Sequence, residues 1–101
     1  MTVEVLYFDG CPNHKPALDR LQMILREEGI LASVLEIEIR NEEAAREAGF
    51  PGSPTIRVNG VDIEPALRAL EGSAFACRCY PDGLPSAEMI RIALREARGQ
   101  D

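Results

Sequence analysis

The side chains with the greatest capacity for chemistry are three cysteines and a single histidine. Cys11 and His14 stand in the segment Cys-Pro-Asn-His, and Cys77 and Cys79 stand in Ala-Cys-Arg-Cys-Tyr. A thiolate is both a nucleophile and a ligand for soft metals, and an imidazole exchanges protons near neutral pH. The sequence therefore indicates thiol chemistry or soft-metal binding centred on Cys11.

Cys11 is predicted to lie where the first helix begins. Unpaired backbone N–H groups at that position would stabilise its thiolate. If Asn13 is the N-cap, Pro16 takes the third helical position and Cys11 lies just outside. If Cys11 is the cap, Pro16 lies one turn in and should bend the helix. A buried small residue is the alternative, but Gly10 and Pro12 favour an accessible loop.

His14 is the only histidine in the chain. It is expected to hydrogen-bond the Cys11 thiolate, to stabilise it as an imidazolium, or to ligate a metal together with Cys11. The alternative is a solvent-facing residue of the first helical turn with no role.

Cys77 and Cys79 are two residues apart, so in an extended segment their side chains point to opposite sides. A bridge between them would need a tight turn and would be strained. One of them is expected to resolve a mixed disulfide formed at Cys11. Alternatively, one is buried in the core and the other is incidental.

The same thiols are candidate metal ligands. Cys11, Cys77 and Cys79 have the softness to bind Zn(II), Cu(I) or Hg(II). The spacing argues against a preformed structural zinc site, because such sites pair two short cysteine or histidine motifs and only one Cys-x-Cys occurs here.

Hydrophobic periodicity predicts the elements that position these groups, in the order strand, helix, strand, helix, two strands, helix. The first strand, residues 3–8, has apolar side chains on both faces and suits the centre of a sheet. The alternation over residues 34–39 predicts a strand near an edge. Asn41 is a suitable cap for a short second helix that Gly49 closes.

Turn and capping residues also mark the elements in the second half of the chain. A third strand is predicted at residues 55–58, and Asn59-Gly60 predicts a hairpin that returns through residues 61–63. Ser86 is a suitable cap for a last helix whose buried face comprises Ile90, Ala93, Leu94 and Ala97.

Composition limits the classes of function. A chain of 101 residues predicts one domain spanning residues 1–101. A formal net charge of −6 argues against nucleic acid as a partner. We expect no membrane association, because no apolar run is long enough to span a bilayer. The beginning of the sequence does not read as a signal peptide, and three cysteines do not make a disulfide scaffold, so a cytoplasmic protein is predicted.

With Cys11 to His14 between the first strand and helix, and Ser53-Pro54-Thr55 before the third strand, the chain resembles the thioredoxin and glutaredoxin superfamily. The resemblance covers nearly the whole chain. It implies an α/β thioredoxin-like fold with a mixed four-stranded sheet flanked by helices. It also implies that Cys11 is the nucleophile and that Pro54 is a cis proline beside it. Small bacterial thioredoxin-like proteins are similar.

The chain departs from the dithiol members of that superfamily, because His14 occupies the position of their second cysteine. We therefore expect a thiol-disulfide or thiol-transfer protein without a cofactor. Cys77, Cys79 or an external thiol, from glutathione or a protein, would resolve the intermediate. A soft-metal or metalloid carrier and a redox-silent interaction domain are the alternatives, and whether the protein is an enzyme stays open.

Overall fold

The computed structural model describes residues 1–64, 80 and 84–99. Cys77 and Cys79 therefore lie outside the described residues. The elements are β1 (Thr2–Tyr7), α1 (His14–Glu27), β2 (Ser33–Glu38), α2 (Glu42–Ala48), β3 (Thr55–Val58), β4 (Val61–Asp62) and α3 (Ala87–Gly99). Within the described part of the chain, the predicted order of strands and helices is confirmed.

The strands form one mixed four-stranded sheet in the order β2-β1-β3-β4. β2 runs parallel to β1, whereas β3 is antiparallel to β1 and β4 is antiparallel to β3. The predicted central position of β1 and edge position of β2 are both confirmed. The protein is thus an α/β protein with a mixed sheet.

Helices cover both faces of this sheet. Alternate residues of β1 point to opposite sides, so β1 packs against helices on each face. Val3 and Val5 face one side, where they pack with α1 and α3. Leu6 faces the other side and packs with α2 and with Phe50, which follows α2. The α1/α3 side holds the larger cluster of buried side chains, which includes Leu21, Ile24, Ile56, Ile90 and Leu94.

The predicted helix caps are present. Asn41 Oδ1 accepts a hydrogen bond from the Ala44 N–H at 2.8 Å, and Gly49 ends α2 in a left-handed conformation with φ of 60°. Ser86 Oγ accepts from the Met89 N–H at 3.0 Å in the first turn of α3. Short polar side chains at these positions satisfy N–H groups that have no partner within the helix.

The hairpin between β3 and β4 has the turn that its sequence predicts. Asn59 and Gly60 both have positive φ, 51° and 83°, as a two-residue type I′ turn requires. β4 comprises Val61 and Asp62 and is one residue shorter than predicted, although the Ile63 N–H still donates to the Ile56 carbonyl at 3.1 Å. Across the ranges that the structure covers, no helix has the length and apolar character needed to cross a membrane.

Candidate functional site

α1 begins at His14, with Asn13 as its N-cap. Of the two predicted helix starts, the one with Asn13 as cap is therefore observed. Pro16 occupies the third helical position, where a proline costs no internal hydrogen bond. Cys11 lies two residues before the cap, in the turn that leads into the helix.

The turn at Cys11 is closed by main-chain hydrogen bonds. The Cys11 N–H donates to the Phe8 carbonyl at 3.2 Å, and the His14 N–H donates to the Cys11 carbonyl at 3.4 Å. Gly10 has φ of 88°, a left-handed conformation that favours glycine. The Cys11 side chain is partly exposed and its thiol is free. Cys11 is accessible, as Gly10 and Pro12 favour.

Phe8 connects this turn to the one before β3. Its N–H donates to Ser53 Oγ at 3.3 Å, while its carbonyl accepts from Cys11. The register agrees, because Leu6 at the end of β1 pairs with Thr55 at the start of β3. The Cys11 turn and the turn at Ser53 and Pro54 therefore lie at the same end of the sheet, where β1 ends and β3 begins. The Ser53–Pro54 peptide is cis, as the superfamily resemblance implies.

The turn at Ser53 and Pro54 is buried and hydrogen-bonded from two sides. Thr55 Oγ1 donates to the Gly52 carbonyl at 2.6 Å. The hydroxyl of buried Tyr80 donates to the Pro54 carbonyl at 2.9 Å. Tyr80 directly follows Cys79 in the sequence, so the segment that carries two predicted site cysteines leads into a residue that contacts Pro54.

His14 does not face solvent, because its imidazole is held on two sides. Nε2 lies 2.8 Å from Glu36 Oε1, and the ring stacks on Tyr7 with centroids 3.6 Å apart and planes 5° from parallel. The His14 side chain is 19% exposed. The alternative of a solvent-facing side chain is therefore wrong as to exposure, whereas the predicted roles toward Cys11 or a metal stay predictions.

The strand register explains why Tyr7 and Glu36 both meet His14. Val5 on β1 pairs with Glu36 on β2, and Tyr7 lies two residues after Val5. All three side chains therefore point to the face of the sheet that α1 covers. His14, the first residue of α1, lies between the aromatic ring of Tyr7 from β1 and the carboxylate of Glu36 from β2.

This contact restricts the chemistry of the imidazole. An ionised carboxylate has only acceptor sites, so wherever Glu36 is ionised Nε2 must be the donor of this contact. In the neutral ring Nδ1 is then the nitrogen that accepts a proton. Neither Glu36 nor Tyr7 was selected from the sequence. Alternation along a strand indicates which residues share a face, but only the β1–β2 register brings these two side chains to His14.

The predicted metal ligands are Cys11, Cys77 and Cys79. Among the described residues, no group of three or more histidine, cysteine, aspartate or glutamate side chains is arranged to hold a metal ion. Two of the three predicted ligands lie outside those residues, so the metal site stays a prediction.

Fold and site together define an α/β protein with a mixed four-stranded sheet, at one end of which a turn carries Cys11 and leads into α1 at His14. The chain belongs to the family described as a domain of unknown function, DUF2703, whose model matches residues 13–91. The match includes His14, Pro54 and both Cys77 and Cys79, and it begins two residues after Cys11. No match was found among curated proteins or among solved structures.

Proposed function

We propose that this protein has the thioredoxin-like fold and exchanges thiols and disulfides through Cys11. The observation that carries the proposal is that the Phe8 main chain forms two hydrogen bonds, one to the Cys11 turn and one to the turn at Ser53 and Pro54. Its carbonyl accepts from Cys11 and its N–H donates to Ser53, so an accessible thiol lies at the same end of the sheet as the buried, hydrogen-bonded turn at Pro54. The strand order β2-β1-β3-β4 supports the fold.

The reaction is a pair of exchange steps. The Cys11 thiolate attacks one sulfur of a substrate disulfide, a new disulfide forms at Cys11, and the other substrate sulfur leaves as a thiolate that takes up a proton. A second thiol then attacks the mixed disulfide. If an external thiol attacks the substrate sulfur, Cys11 leaves as a thiolate and the external thiol is joined to that half of the substrate in a new disulfide. If Cys77 or Cys79 attacks the Cys11 sulfur, the second substrate sulfur leaves as a thiolate, and the protein disulfide that forms is reduced in turn by an external thiol such as glutathione.

The second thiol is Cys77, Cys79 or an external thiol such as glutathione. Tyr80 supports testing Cys79 first, because Tyr80 follows Cys79 in the chain and its hydroxyl reaches the Pro54 carbonyl. The proposal takes the protein to be cytoplasmic, where glutathione is abundant and keeps thiols reduced.

The test is incubation of the reduced protein with oxidised glutathione over a series of redox poises, followed by alkylation and mass spectrometry of each cysteine. We expect Cys11 to form a mixed disulfide with glutathione that is reversed by reduced glutathione. Cys11→Ser should abolish this adduct. If Cys79 is the resolving thiol, Cys79→Ser should leave the Cys11 adduct in place, and Cys77→Ser is its matched control.

One result would contradict the proposal. All three thiols staying reduced at every poise would remove the redox function. Titration of the same sample with Zn(II), Cu(I) and Hg(II) would then separate the alternatives, since stoichiometric uptake lost in Cys11→Ser is the property of a carrier and no uptake is that of a redox-silent domain.

A further inference from the structure

Asn59 and Gly60 form a chemically labile pair at the tip of the hairpin between β3 and β4, and both residues are exposed. An asparagine side chain loses ammonia when the main-chain nitrogen of the next residue attacks its amide carbon. Glycine leaves that nitrogen most accessible, because it has no Cβ. The chain has three asparagines, and Asn59 is the only one that glycine follows, since Asn13 and Asn41 precede larger residues.

The folded turn holds the two reacting atoms apart. In a type I′ turn the first central residue has ψ of about +30°, and Asn59 is that residue, with φ of 51°. This ψ places the Gly60 nitrogen nearly opposite Cβ of Asn59 across the Cα–C bond. Closing a ring through the side-chain amide requires that nitrogen to lie on the same side as Cβ, so the turn must open before the reaction proceeds.

The main chain of Thr2 makes two hydrogen bonds with Asn59 in this conformation. The Asn59 N–H donates to the Thr2 carbonyl at 2.8 Å, and the Thr2 N–H donates to Asn59 Oδ1 at 3.0 Å. The second bond fixes the side-chain amide that reacts. Val3 and Val58 form the adjacent pair of the β1–β3 ladder, so opening the turn breaks contacts at the beginning of the central strand.

We infer that Asn59 is a site of spontaneous deamidation, and that its two hydrogen bonds with Thr2 set the rate by keeping the turn closed. The reaction balances with water as the only co-reactant. In the opened turn the Gly60 nitrogen gives up its proton and bonds to Cγ of Asn59, and the side-chain nitrogen leaves as ammonia. One water molecule then hydrolyses the succinimide ring at either carbonyl, which gives aspartate or isoaspartate.

The two products differ in their effect on the hairpin. Aspartate keeps an acceptor oxygen for the Thr2 N–H and leaves the main chain unchanged in length. Isoaspartate adds one carbon to the main chain, so the same two-residue turn cannot re-form. β4 comprises only Val61 and Asp62, and isoaspartate should therefore separate it from β3. Deamidation is thus an irreversible change that accumulates with the time that the hairpin spends open.

Thr2→Pro tests the role of Thr2, because proline has no N–H and is tolerated at the first residue of a strand. Thr2→Ala is the matched control, since it loses the same side chain and keeps the N–H. Both variants are compared in samples whose intact mass shows that Met1 is present, so that the nitrogen of residue 2 is part of a peptide bond. Mass spectrometry of the tryptic peptide 58–68, in which Asn59 is the only asparagine, measures deamidation during incubation at mildly alkaline pH.

We expect the folded wild type to deamidate at Asn59 more slowly than the protein unfolded in urea. The slowing should equal the protection of the Thr2 and Asn59 amide hydrogens from exchange, because both processes need the open turn. Thr2→Pro should accelerate the reaction in the folded protein by roughly 2- to 10-fold, as the loss of one hydrogen bond allows, whereas Thr2→Ala should match the wild type. All three proteins should react at one rate in urea.

The inference is overturned if the folded and unfolded wild type react at the same rate, or if Thr2→Pro and Thr2→Ala react equally fast when folded. Deamidation of Asn13 or Asn41 at the rate of Asn59 would also overturn it. Circular dichroism shows whether Thr2→Pro is folded. If it is not, the wild type decides, because amide protection that differs from the slowing of deamidation contradicts control by the open turn.

Discussion

The Pro54 carbonyl shows how a residue of the candidate site is held by a side chain from elsewhere in the chain. It belongs to a buried turn and accepts a hydrogen bond from the Tyr80 hydroxyl. A buried carbonyl that loses its donor bears most of its desolvation cost. Tyr80 therefore holds the turn before β3 from a position 26 residues further along the chain.

Tyr80→Phe tests this connection, because it removes one oxygen and keeps the buried ring. We expect the free energy of unfolding to fall by about 1–3 kcal/mol, since the Pro54 carbonyl is left without this donor. Urea denaturation followed by far-UV circular dichroism measures the change. A variant as stable as the wild type would show that water replaces the hydroxyl at no cost.

Individual site residues were predictable to different degrees. Cys11 and Pro54 lie in two short motifs, and the two motifs together, in register with the predicted elements, mark them as candidates. Glu36 has no motif, because a glutamate in an alternating strand resembles any solvated residue. Its contact with His14 depends on the β1–β2 register and on where α1 begins. The stack of Tyr7 on His14 depends on the same two features and has no sequence signal either.

At the scale of elements, α1 and α3 are joined by ion pairs near the C-terminal end of α1. Arg91 contacts Glu27 at 2.8 Å, and Arg95 contacts Glu28 at 2.6 Å. The hydrogen bond from Arg95, with the charges of the neighbouring arginines, holds the pKa of Glu28 below its ordinary value. The same contact raises the pKa of Arg95.

A lowered pKa in the folded state gives Glu28 a defined effect on stability. The stabilisation is present above the pKa that Glu28 has in the unfolded chain, and it is lost as the pH falls through the lower folded value. We expect Glu28→Gln to destabilise the protein at pH 7 and to lose less stability than the wild type between pH 7 and pH 3.

Urea midpoints at the two pH values measure this difference, and added salt should reduce it because the pair is near the surface. Glu47→Gln on α2 is the control for loss of one negative charge. Equal acid sensitivity in the wild type and in Glu28→Gln would show that the ion pair contributes nothing.

The elements themselves were largely predictable, because their boundaries are encoded locally. Asn41, Gly49 and Ser86 mark helix ends through their own backbone and side-chain preferences, and Asn59-Gly60 requires the turn it forms. Side-chain contacts between two elements have no such local signal. Nothing in the segment around Glu28 specifies that Arg95 will lie beside it.

At the scale of the whole molecule, one sheet has a core on each face. Leu94 lies on the α1/α3 side and Phe50 on the α2 side, and both are 0% exposed. β1 contributes to both sides, since Val5 and Leu6 point in opposite directions. The two cores therefore share their central strand and should unfold together.

Leu94→Ala and Phe50→Ala test this coupling. Each should lower the free energy of unfolding, by about 2–5 kcal/mol for leucine and about 3–5 kcal/mol for phenylalanine, through lost burial and a residual cavity. Circular dichroism and tyrosine fluorescence should report the same single transition in each variant. Two separate transitions in either variant would show that the faces unfold independently.

The position of β1 in the sheet also bears on how the chain is made. Both neighbours of β1 come later in the sequence, because Thr2 pairs with Ser33 and Leu6 pairs with Thr55. During synthesis β1 therefore leaves the ribosome with two unsatisfied edges and waits for β2 and then for β3. Over that interval the strand is open to pairing with other nascent chains, so β1, at the centre of the finished sheet, is the strand among β1, β2 and β3 that is exposed to misassociation for longest.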